Sequence, residues 1–229
     1  PLEAVLPRKE PEPSDQKMIE TVTTTREELY SSIVKKAHID STYLLLVFLS
    51  TVVVAIGLLE DNVAVVIGAM VIAPLLGPNM ALALGAALGD MVLMWKATKT
   101  TIVGITLALA LSITLGLVYP INLDSQELMA RTDVGLDSVV LALASGAAAV
   151  ISLTTGLASV LVGVMVAVAL LPPTATLGLM IGAGQTKLAV GSALLLAVNI
   201  VSVNLAAKIV FWFRGVKPRS WLEKQKANQ

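Results

Sequence analysis

Two short runs place groups that can solvate a polar species inside strongly apolar surroundings: "VIAPLLGPNM", residues 71–80, and "ALLPPTAT", residues 169–176. The first holds Pro74, Gly77, Pro78 and Asn79; the second holds Pro172, Pro173, Thr174 and Thr176. Proline lacks a backbone N–H, and its ring excludes the carbonyl four residues earlier in a helix. Pro74 therefore frees the carbonyl of Met70, and Pro78 that of Pro74. Pro172 frees Val168, and Pro173 frees Ala169. An unpaired backbone group in hydrocarbon costs several kcal/mol, so such breaks persist where protein or water satisfies them again. Freed carbonyls, helix-end dipoles and the side chains of Asn79, Thr174 and Thr176 then form a polar patch that could bind or pass an ion or a small polar solute. One proline alone would read as a packing kink. Two matched runs favour a pathway.

Other polar residues are fewer. Glu60 and Asp61 fall in a short turn between apolar segments and could gather cations at a mouth. Asp90 ends an apolar segment, as a cap or a gate. Asn199 and Asn204 lie in the last segment, and five residues of helix turn them roughly 140° apart. One at least is expected to hydrogen-bond another helix. Lys208, beside Phe211 and Trp212, is expected to extend to the interface.

Chemical catalysis is not expected. The lone His38 precedes the apolar region and there is no cysteine, so no metal site or cofactor is anticipated. "ALGD", ending at Asp90, lacks the first glycine of an intramembrane aspartyl protease motif, and no second midspan aspartate is present to share a proton.

The elements that must hold these residues follow from composition. Of 229 residues, 56% are hydrophobic and only 14% charged, with a mean hydropathy of +0.84. Soluble domains are about 25% charged, so an all-α integral membrane protein is expected. No ionisable side chain occurs over the 49 residues between Asp137 and Lys187. One span needs about 20 residues, so that run crosses twice. A net charge of zero and no basic, aromatic-rich face argue against nucleic acid as a partner.

Residues 1–40 are polar, with no cleavable signal pattern. Thr25 and Glu28 have capping-box spacing at the start of a short interfacial helix. Six apolar segments follow, at 41–59, 63–89, 98–119, 138–154, 158–184 and 188–213, ahead of a basic tail at 214–229. Bases flank the first segment's start, the second's end and the last's end, while acids occupy the turns at 60–61 and 120–137. The positive-inside rule then puts both termini on the cytoplasmic side of the cell's inner membrane. Lys187 is the exception. If segments two and five were re-entrant, Lys96 and Lys99 would lie outside, against the charge bias.

An offset of 95 residues lays Gly163 on Gly68, Met165 on Met70, Leu170 on Leu75, Pro173 on Pro78 and Gly184 on Gly89. The chain thus reads as two copies of a three-segment unit, 41–119 and 136–213. Because three is odd, the second copy enters inverted, an arrangement found in many transporters. Segments two and five are expected to be broken at their prolines and to meet near the midplane.

The stretch "GLLEDNVAVVIGAMVIAPLLGP", Gly57 to Pro78 within residues 39–90, resembles the prokaryotic uncharacterised hydrophobic domain membrane proteins, domain of unknown function 389. The resemblance extends to about residue 215. It implies a multi-span bacterial or archaeal membrane protein and assigns no substrate. The expected function is a channel or secondary transporter, as a homo-oligomer in the lipid bilayer. The alternative is a non-conducting scaffold or a sensor acting through the N-terminal segment.

Overall fold

The computed structural model describes residues 31–214 apart from 32, 36 and 156–158. The capping box at Thr25 and Glu28 and the basic tail beyond residue 214 lie outside the described residues. Among the described residues the elements are all helical: α1 (Ser41–Leu59), α2 (Val63–Ile72), α3 (Leu76–Leu88), α4 (Met91–Val118), α5 (Gln126–Met129), α6 (Leu136–Thr155), α7 (Ser159–Gly182) and α8 (Thr186–Phe213).

Side-chain oxygens start several of them. Asp40 accepts from the Tyr43 N–H at 2.6 Å, Asn62 from Val65 at 3.2 Å, and Asp90 from Val92 and Leu93 at 3.1 and 3.0 Å. Each satisfies donors that the first helical turn leaves unpaired. Asp90 makes α4 begin well before residue 98, the expected start, and carries the exposed Trp95, Lys96 and Lys99 on its first turns.

Helices α1, α4 and α8 are long and apolar enough to cross a membrane, and α2 with α3 makes a fourth candidate span bent by 59°. The surface fits a lipid solvent. Leu45, Val71, Leu117, Val140, Val201 and Leu205 are exposed, while Ser50, Thr51, Asn79, Ser112, Thr176 and Ser192 are buried. Apolar residues outside and small polar residues inside reverse the soluble pattern.

Helix α7 lies at the centre and packs against α1, α2, α3, α4, α6 and α8. Its approach to α4 is close. A Cβ on Gly178 would come within 2.9 Å of the Leu109 carbonyl oxygen, so the small residue is what lets the two backbones meet.

Element ends recur at the 95-residue offset. Helices α1 and α6 start at Ser41 and Leu136; α4 and α8 run Met91–Val118 and Thr186–Phe213. The turns before them hold Gly89 and Gly184 in the same left-handed conformation, φ 69° and 71°.

Two expectations are corrected here. Segment two is broken, but segment five runs as one helix through Pro172 and Pro173. Pro74 forces Ala73 into extended backbone, ψ 123°, and ends α2. Pro78 then falls in the first turn of α3, where a missing N–H costs nothing. In α7 the two prolines are adjacent, so the missing donors fall in one turn, and a neighbouring side chain supplies a replacement. The second correction concerns Tyr43. Placed by sequence at the interface, it is buried, and its hydroxyl donates to the Thr100 carbonyl at 3.0 Å. Thr100 Oγ1 in turn donates to the Ala37 carbonyl at 2.6 Å. With Ile33 and Ala37 both buried, the segment before α1 is docked into the helical core rather than resting on its surface.

Candidate functional site at the two proline motifs

Helix α8 meets both motifs through its two asparagines. Asn199 Nδ2 donates to the Ala169 carbonyl at 2.9 Å, the group that Pro173 cannot pair. Here is the donor that keeps α7 helical. Asn204 Nδ2 donates to Asn79 Oδ1 at 2.7 Å and to the Ile200 carbonyl at 2.8 Å. The asparagines are five residues apart, about 7.5 Å along the helix axis, so the two proline motifs dock on neighbouring turns of one helix.

Several buried polar atoms in this region have no protein partner among the described residues: Asn79 Nδ2, Ser112 Oγ, Thr176 Oγ1, Asn199 Oδ1 and Asn204 Oδ1. Buried polar groups are nearly always hydrogen-bonded, so this concentration marks the polar heart of the molecule. The amide orientations follow from the bonds they make. Turning Asn199 over would set its oxygen against the Ala169 oxygen, so its Oδ1 is the atom left to face elsewhere.

A cavity of about 170 Å³ opens beside it. Arg131 and Ser138 line one part; Ser145, Ala169, Pro173 and Asn199 line another. The cavity therefore reaches the altered turn of α7 from the loop that joins the two three-helix units. That loop is tied down from the first unit. Asp61 Oδ1 accepts from the Glu127 N–H at 2.7 Å and from Ser125 Oγ at 3.2 Å, and Ser125 Oγ also donates to the Leu58 carbonyl at 2.7 Å. Arg131 is held by Glu127, at 2.7 Å to the carboxylate and 2.6 Å to the carbonyl.

The sequence-predicted residues divide accordingly. Asn79 and Asn204 touch, and Pro173 and Asn199 share the cavity wall. Gly77 and Pro78 are buried in the first turn of α3, and Pro74 is partly exposed at the bend. Pro172 is buried beside Pro173, and Thr174 Oγ1 donates to its own helix at Leu170, 2.7 Å. Thr176 is buried with its hydroxyl unpartnered among the described residues. Asp90 caps α4, Asp61 positions the connecting loop, and Glu60 and Lys208 are exposed. Nothing in the sequence singles out Ser138 and Ser145 as lining residues. For Arg131 the only trace is its four-residue spacing from Glu127, a helical ion pair.

A match to "Domain of unknown function (DUF389)" covers residues 70–205, more than half of the chain. The chain belongs to this family. It is also 38% identical over 204 residues to the uncharacterized protein MJ0678 of Methanocaldococcus jannaschii, an alignment spanning 89% of this chain and 64% of that protein. The chain thus covers a little under two thirds of that relative's length. No solved structure matches it.

Proposed function

We propose that this family member is a six-span, inverted-repeat membrane protein that carries an ion or small polar solute past its two proline motifs, as a channel or secondary transporter. The observation that carries the reading is the cavity whose wall includes Pro173 and the buried, unpartnered Asn199 Oδ1. Such acceptors are retained in an apolar interior where something hydrated or polar visits them. The recurrence of helix ends at one offset supports two copies of one unit, and the odd number of spans per copy supports inversion. Both termini then lie on the cytoplasmic side of the inner membrane. A small bundle with glycine and alanine faces favours a homo-oligomer, which chemical cross-linking in native membranes would capture.

Reconstitution into liposomes tests the proposal. The full chain should pass at least one solute, and Asn199→Leu and Asn79→Leu should each lower that flux tenfold or more. Lys96→Gln, at an exposed site, should leave it unchanged. Folded protein that passes nothing at any salt or voltage would overturn it. Saturable flux with site accessibility that alternates between faces would mark a transporter; linear flux would mark a channel. The buried docking of Ile33 and Ala37 favours a second reading, a non-conducting sensor reporting through the N-terminal segment. That reading gains only if flux is absent.

A further inference from the structure

The lining of the cavity specifies what it would hold. At one part stands a guanidinium, Arg131, already neutralised by Glu127. At another stands an amide oxygen, Asn199 Oδ1, whose own N–H group is committed to Ala169. Ser138 and Ser145 mark the same two levels on α6, seven residues and so about 10 Å apart along its axis. Leu141, Ala142 and Leu195 supply apolar wall.

A bare inorganic ion fits this badly. Metal cations sit about 2.0–2.6 Å from their oxygens and cannot touch groups so far apart. Among the described residues no carboxylate lines the cavity, and its guanidinium is already paired, so a net charge would enter without compensation. The lining instead offers hydrogen-bond donors at one level and an acceptor at the other. We infer that the cavity takes a short zwitterion, its carboxylate toward Arg131 and Ser138 and its ammonium toward Asn199 Oδ1 and Ser145. The two charges of such a solute cancel overall while each meets a matched group. The volume of 170 Å³ equals that of about six waters, which suits a chain of a few carbons. This inference rests on the pathway reading and names its solute class.

The experiment compares three molecules of nearly one shape: 4-aminobutyrate, butyrate and butylammonium. Binding to the purified full chain is read by calorimetry, and counterflow is read in proteoliposomes beside sodium and potassium flux. The zwitterion should bind at least tenfold more tightly than either singly charged analogue. Arg131→Gln and Asn199→Leu should each weaken it tenfold or more. Ser145→Ala, the mildest change, should weaken it about threefold while keeping the wild-type elution profile. Equal or tighter binding of either singly charged analogue, or unchanged binding in Ser145→Ala and Arg131→Gln, would overturn the inference. If sodium or potassium alone crosses and the zwitterion does not bind, the solute class is wrong and the pathway stands. If nothing binds or crosses, both fail.

Discussion

Asn199 performs a substitution of one chemical group for another. Proline at 173 removes a backbone donor, and an amide from the next helix restores it at 2.9 Å. Two changes test that equivalence. Asn199→Ala should leave the Ala169 carbonyl unpaired and destabilise the protein by about 1–2 kcal/mol. Adding Pro173→Ala returns a backbone N–H to the same carbonyl and should recover most of the loss. Reversible unfolding in mixed micelles would measure both, and additive losses in the double variant would sink the idea. The sequence alone makes Asn199 and Asn204 legible as amides that lipid would not tolerate. It does not name their partners, because which faces of two helices meet depends on packing across 30 and 125 residues of chain. Asp61 is illegible for a similar reason: an acid in a turn looks the same whether it faces water or, as here, holds Ser125 and Glu127.

At the scale of elements, the bend between α2 and α3 has two supports. Proline ends α2, and packing of the buried Met80, Ala81 and Leu84, with the Asn79–Asn204 bond, fixes where α3 goes. Packing should dominate. Pro74→Ala is expected to change the distance between spin labels at residues 63 and 88 by less than about 3 Å, whereas one straight helix would bring it to about 38 Å. The chain has no cysteine to remove first, so the label pair can be installed directly. The matched turns give a second expectation. Gly89 and Gly184 have positive φ and open space around the position of a Cβ, so alanine at either meets only backbone strain. Each substitution should cost about 1–2 kcal/mol, and by similar amounts, in the same unfolding assay. Hydrophobic runs place most helix limits closely, including α1 at 41–59. Where they err, a competing signal wins: the Asp90 cap lengthens α4, and one borrowed hydrogen bond keeps α7 whole.

For the molecule as a whole, membrane embedding is plain from composition, since nothing else explains so few charges. Orientation rests on charge bias and is open to direct test. Single cysteines at Glu60 and Leu123 should react with an impermeant maleimide from outside intact cells. Cysteines at His38 and Lys96 should react only after the membrane is opened. Labelling of the Lys96 position from outside would make the second segment re-entrant and remove the inverted arrangement. The central place of α7 cannot be read from the sequence, because all the spans are comparably apolar and nothing in such runs says which is surrounded.

One rod, α8, serves both halves. Asn199 grips the second unit and Asn204 the first, on sides of the rod turned well away from each other. A slide or twist of that rod by a single residue spacing would release both grips at once. Loosening in one half is thereby reported to the other without any intermediary, as two latches thrown by a common bolt.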